Sequence, residues 1–327
     1  MAFGKDFIKN ASSVIVANSA QKDFEFIKPL LSRAVKNVSV AYPFFDPNDV
    51  EIYLQGSYAN QTNIAFQSKL EIIIKVKKTK AFDPIKMKPD EFLLKNNFYI
   101  DFFHVYDVKK FKKDIMRAIY DEINQKLKIE AVNFTIPMFD GLKHDIDITP
   151  CFSYKYFGAN GGTIPCLLVY NNSIEEHFLM FNNLHAENGN LKDRLTNGKF
   201  KEIVRLVKTI IGISRREELN IKFVRGYLVE CLLYNVPNEM YLTHDQRDTD
   251  KANKVEKERG EETERVFLKV INWLNFADLS KFVCQNQIFS LWGNADGFWN
   301  LHDASEFVRD IIQFYNNFPS RRTKIAE

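Results

Sequence analysis

The segment KLEIIIKVK at 69–77 constrains the fold of this chain more than any other stretch. Its Ile and Val side chains are β-branched, stiff at χ1 and well suited to a pleated surface, so it reads as a strand. Residues i and i+2 of a strand share a face, which puts Lys69 and Glu71 on one side. The segment 143–149 reads as another strand, and it turns Asp145 and Asp147 to a common face in the same way. A third strand at 51–55 (EIYLQ) runs directly into Gly56-Ser57 and a stretch of turn formers. If these strands are neighbours, their polar faces converge beside the Gly-Ser turn. Backbone N–H groups and a hydroxyl in such a turn suit a phosphate, and acidic groups beside it suit hard divalent cations. A lone Gly-Ser pair is also an ordinary turn, so spacing alone leaves both readings open.

The remaining periodicities place other elements around these strands. Residues 3–36 read as helix, with Phe24, Ile27, Leu30, Leu31 and Ala34 on one face and Pro29 expected to kink or divide it. Residues 107–127 read as an amphipathic helix with a basic face, set by Phe111, Ile115, Ile119, Ile123 and Leu127. Residues 128–136 and 143–149 read as two strands joined by the turn MFDGLK. From about 165 onward the pattern turns helical, with candidates at 190–213, 222–235, 261–276 and 302–317. The division into strands and then helices predicts an α+β chain of two lobes. The expected domains are 1–165, a mixed-sheet lobe with an N-terminal helix, and 166–327, a helical lobe.

Composition narrows the function classes. Lys plus Arg number 45 and Asp plus Glu 42, a net charge of +3 that argues against a dedicated nucleic-acid coat. The chain holds no apolar run of the roughly 18 residues a membrane-spanning helix needs, and its start lacks the pattern of a secretory signal. A cytoplasmic location is expected. The four cysteines, Cys151, Cys166, Cys231 and Cys284, form no CxxC pair, so reduced thiols are expected rather than zinc or disulfides. The six histidines show no HxH or HExxH spacing, which speaks against metal ligation by His104, His144, His177, His185, His244 or His302.

Longer motifs carry a resemblance. LQGSYANQTNI followed by SKLEIIIKV resembles the signature of the polymerase-beta-like nucleotidyltransferases. DITPCFSYKYF, HAENGNLKDRLTNGKFKEIVRLVK and GYLVECLLYNVPNEMY resemble, in order, later motifs of one branch, the cGAS/DncV-like nucleotidyltransferases of bacterial anti-phage systems. These matches span roughly residues 50–240. The resemblance implies a two-lobed polymerase-beta-like fold that makes a cyclic di- or trinucleotide messenger from nucleoside triphosphates by metal-dependent phosphoryl transfer. It implies Mg2+, or alternatively Mn2+, and a separate effector protein that the messenger activates. From hydropathy and charge, neither a membrane nor direct nucleic-acid binding is expected. By position, Gly56 and Ser57 would hold the donor triphosphate. Glu71 would be the second acid of the family's DxD pair and Asp147 the third acid. One or both of Lys192 and Lys208 would meet triphosphate oxygens, the alternative for each being a solvated helix charge.

The chain departs from the family pattern at two places. Lys69 stands where the DxD pair begins with an aspartate. Protonated Lys has three donors and no acceptor, so it cannot ligate a metal. It could instead take the metal's place as a tethered positive charge, and Asp145 is a further candidate ligand. Gly226 stands where the family commonly has a small hydroxyl residue. An alternative to the synthase is therefore a nucleotide-binding protein of the same fold with impaired catalysis. Tyr58 and Tyr234 are open to either base stacking or core packing, while Trp273, Trp292 and Trp299 read as packing residues.

Overall fold

The computed structural model describes residues 5–13, 18–41, 46–64, 69–77, 108–157, 163–217, 221–222, 224–243, 256–292 and 300–318. His104, His244 and Trp299 lie outside them. The described residues form two compact units. One comprises 16–59 and 68–183; the other comprises 1–15, 60–67 and 184–327. Among the described residues no helix is long and apolar enough to cross a membrane.

The first unit is built on a seven-stranded mixed sheet. Its strands are β1 (Val50–Gln55), β2 (Leu70–Val76), β3 (Lys128–Ile129), β4 (Phe134–Ile136), β5 (Ile146–Phe157), β6 (Thr163–Asn171) and β7 (Glu176–Met180). The path runs β1-β2-β5-β4-β3, with β6 paired to β5 and β7 to β6. β2 and β5 are parallel; the other pairs are antiparallel. On one face Leu70, Ile72, Ile74, Ile146, Ile148 and Phe134 are wholly buried, in a cluster with Ile27 and Leu31 of α2 (Asn18–Ala41). Phe111, Ile115 and Ile119 of α4 (Val108–Ile123) join the same cluster. Each such side chain contributes about 1.5–3 kcal/mol by leaving water.

Several boundaries differ from the sequence expectation. Pro29 does not divide its helix: α2 continues through it, while α1 (Lys5–Ser12) is separate and falls in the other unit. The 128–136 strand is a hairpin, β3 and β4, closed by the Glu130 N–H to Asn133 carbonyl bond at 3.0 Å. β5 runs on through Pro150, and β6 and β7 extend the sheet from it. The units therefore divide near 183 rather than at 165, because 163–180 is held by ladder bonds to β5. The basic face of α4 is interrupted. Lys112 is buried, donates to the carbonyls of Ala131 at 3.2 Å and Tyr170 at 3.4 Å, and burial pushes its pKa down to about 8.

The second unit is helical. Its described helices are α1, α5 (Asn182–Leu195), α6 (Lys199–Arg216), α7 (Gly226–Tyr234), α8 (Asn238–Tyr241), α9 (Glu256–Phe276) and α10 (Leu301–Asn317). The expected helix at 190–213 is two helices, broken at Thr196-Asn197-Gly198. Asn197 and Gly198 adopt φ of +52° and +80°, a left-handed pair that no α-helix continues through. α6 is buried on every side, so its charged residues are paired internally. Arg205 donates to the carbonyls of Ser12 at 2.6 Å and Gln61 at 2.7 Å, tying α1 and the 60–64 segment to this unit.

Candidate functional site

The site grows out of strand register. Glu71 on β2 pairs with Asp147 on β5, Gln55 on β1 pairs with Glu71, and Thr135 on β4 pairs with Asp147. Register partners project to the same face, so Gln55, Glu71, Asp147 and Thr135 form one row across four strands. The flanking residues Ile72, Ile146, Ile148, Phe134 and Ile136 point to the opposite face and are buried there. Burial of that apolar face holds the polar row in place, because a one-residue slip would exchange the two faces.

Gly56 follows β1 and opens the short helix α3 (Gly56–Asn60). Its φ is +70°, and a Cβ built on it would overlap the Glu71 carboxyl group. Glycine is thus required both for the turn and for the approach of Glu71 to the backbone. Ser57 and Tyr58 are half-buried, and Tyr58 meets His144 edge-on at 5.6 Å. His144 Nδ1 lies 2.7 Å from Asp23 Oδ2, which also accepts the Lys143 N–H at 2.9 Å. Tyr58 is thereby a packing residue of the turn.

Lys69 enters the row from one end. Its Nζ lies 3.1 Å from Asp147 Oδ1, 3.3 Å from Thr135 Oγ1 and 4.0 Å from Glu130 Oε1. Thr135 Oγ1 donates to the same Asp147 oxygen at 2.5 Å. Asp145 stands one strand step away, is exposed, and accepts the Met138 N–H at 2.9 Å. Sequence reading missed Thr135, Glu130 and Gln55. The apolar-polar-apolar pattern of FTI signals that Thr135 faces away from the core, but nothing local signals that it lies opposite Asp147.

Glu71 and Asp147 are hard oxygen donors in adjacent positions, and Mg2+ characteristically takes one or two carboxylates with water and phosphate oxygens. They fit one such ion. They do not fit two ions sharing a further carboxylate at residue 69, because an ammonium is there. A unit charge and a divalent ion 4 Å apart repel by about 8 kcal/mol at an effective dielectric of 20.

Lys192 and Lys208 lie in the helical unit and are both buried. Lys192 Nζ donates to Val236 O at 2.7 Å and Asn238 Oδ1 at 3.0 Å, and lies over the rings of Phe200, Tyr234 and Tyr241. Burial pushes its pKa down to about 8. Lys208 Nζ lies 2.5 Å from Glu230 Oε1, with Thr62 O at 3.3 Å and Thr62 Oγ1 at 3.2 Å. His185 Nε2 lies 2.7 Å from the other Glu230 oxygen. Burial alone would raise the Glu230 pKa, but the Lys208 and His185 contacts hold it well below the usual carboxylate range. A Cβ on Gly226 would sit 3.2 Å from Lys208 Cε, so glycine there leaves room for the lysine stem. Both ammonium groups serve the packing of the helical unit.

Comparison with known proteins bears on this arrangement. The family model for the cGAS/DncV-like nucleotidyltransferase C-terminal helical domain matches residues 187–316. The helical part of the chain thus carries the C-terminal domain of the cGAS/DncV-like nucleotidyltransferases. It is 27% identical over 296 residues to the cyclic UMP-AMP synthase of Rhodothermus marinus, covering 89% of this chain and 90% of that protein. It is 26% identical over 280 residues to the cyclic nucleotide synthase CdnE01 of Staphylococcus haemolyticus, covering 83% and 86%. The structure of the Rhodothermus marinus CdnE c-UMP-AMP synthase with Apcpp and Upnpp superposes with a TM-score of 0.74 at 24% identity, covering 96% and 97% of the two chains. The chain therefore has the CdnE fold along nearly its whole length.

Proposed function

We propose that this chain joins nucleoside triphosphates into a cyclic di- or trinucleotide. The observation that carries the reading is the Glu71–Asp147 register pair beside the positive-φ glycine of a Gly-Ser turn. Relatives described as cyclic nucleotide synthases, matched over more than four-fifths of this chain, support it.

In the proposed reaction a ribose hydroxyl oxygen bonds to an α-phosphorus, the bond from that phosphorus to the β-phosphate bridge breaks, and pyrophosphate leaves. The hydroxyl proton passes to a carboxylate of the row or to water. Glu71 and Asp147 would hold a divalent cation, Mg2+ or Mn2+. When bound, that ion lowers the hydroxyl pKa and offsets charge on the departing pyrophosphate. Gly56 and Ser57 would offer a backbone amide and a hydroxyl to the donor triphosphate. Thr135 keeps the Asp147 carboxylate oriented through its hydrogen bond. Lys192 and Lys208 are left out of nucleotide contact, since protein acceptors already engage their ammonium groups. The product would act as a messenger for a separate effector.

The purified chain is incubated with all four labelled nucleoside triphosphates and Mg2+ or Mn2+, then treated with phosphatase. A phosphatase-resistant product with two or three phosphodiester links is expected. Absence of product under both metals, with the nucleotides still bound, would instead favour a nucleotide-holding role, which the Lys69–Asp147 ion pair makes the second reading.

A further inference from the structure

We propose that the Lys69 ammonium is a built-in cation of this site, standing where a second divalent ion would otherwise lie. One divalent ion then accompanies each bound triphosphate. The inference rests on the nucleotidyl-transfer reading and deepens it.

Three oxygens surround the ammonium, from β5, from β4 and from the turn between β3 and β4. The ammonium is thereby held against the oxygens of the row although its side chain is 39% exposed. Lys128 Nζ lies 2.7 Å from Glu130 Oε1, so the outermost carboxylate already has a cation of its own. Lys69 is therefore directed chiefly at Asp147, whose side chain is only 13% exposed. Two-ion phosphoryl-transfer sites place their ions about 3.5–4 Å apart, bridged by shared oxygens. Here the oxygen shared by Thr135 and Lys69 already faces a positive charge at 3.1 Å. A tethered ammonium still attracts phosphate oxygens, but it carries one charge instead of two and is no Lewis acid. The site keeps its attraction for a triphosphate and runs with a single Lewis acid.

The test is Mn2+ stoichiometry by electron paramagnetic resonance, with protein in excess over α,β-methylene ATP and, in parallel, the analogous GTP, CTP and UTP derivatives. The unaltered protein is expected to hold one Mn2+ per bound analogue, and Lys69→Asp two. Mn2+ is also expected to raise the melting temperature of Lys69→Asp more than that of the unaltered protein. Two ions in the unaltered protein would overturn the inference and leave the nucleotide reading intact. A single ion in folded Lys69→Asp would do the same. Failure of every analogue to bind the unaltered protein would overturn the nucleotide reading and this inference with it.

Discussion

Lys69 Nζ stands 3.1 Å from Asp147 Oδ1, the oxygen that Thr135 also reaches at 2.5 Å. A carboxylate that general phosphoryl-transfer chemistry would give to metal ions is thus already half neutralised by the protein. The Lys69 side chain is 39% exposed, so the pair is a feature of charge placement more than of stability.

Asp147→Asn separates those two roles. Losing an ion pair this open is expected to cost no more than about 1 kcal/mol in urea unfolding. Product formation is expected to fall by about 100-fold or more, the scale on which one preorganised charged group acts. A large stability loss with activity retained would show that Asp147 is structural.

Gly56→Ala tests the approach of the turn to Glu71. A left-handed φ costs a non-glycine residue about 1–2 kcal/mol, and the new methyl would displace the Glu71 carboxylate. A melting point lowered by a few degrees and a product yield reduced at least tenfold are expected. Full activity would mean that Glu71 works from another position.

Glu230→Gln tests the buried charge network of the helical unit. It leaves the Lys208 ammonium without its carboxylate, which in buried pairs costs about 3–5 kcal/mol. The folded pKa of Glu230 is depressed, so its contribution is present above the unfolded value of 4.5 and is lost as pH falls toward the folded value. Denaturant titrations between pH 3 and 7 are expected to show a shallower acid loss in the variant.

Lys192→Met tests both stability and the assignment of this lysine. Its pKa falls from 10.5 unfolded to about 8 folded, so between those values the unfolded chain binds more protons. Stability of the unaltered protein relative to the variant is expected to rise from pH 8 to 10.5, by at most about 1.4 kcal/mol per pH unit. Triphosphate affinity at pH 7.5 is expected to stay within about twofold, since 1.4 kcal/mol is already tenfold. A tenfold or greater loss would return Lys192 to the nucleotide site.

Much of the site was legible because strand geometry is local. Alternation put Lys69 with Glu71 and Asp145 with Asp147, and the turn formers after EIYLQ marked the Gly-Ser turn. β6 and β7 were not legible, because TIPCLLVYN spans the point near 165 from which the pattern reads as helical, and Pro165 interrupts it. The burial of Lys112, Lys192 and Lys208 was not legible either. A lysine on an amphipathic helix has the same local pattern whether its ammonium meets water or a buried carbonyl.

Taken alone, the sequence determined which faces are polar, where the chain turns, and that residue 69 is a cation on the same strand face as Glu71. Periodicity and side-chain chemistry are properties of a short segment, so they can be read without knowing its neighbours. Only the tertiary structure decided that Asp147 lies beside both Glu71 and Thr135, and that Lys69 reaches it. Those pairings come from register between strands far apart in the chain, fixed by burying Ile72, Ile74, Ile146 and Ile148 together on the opposite face.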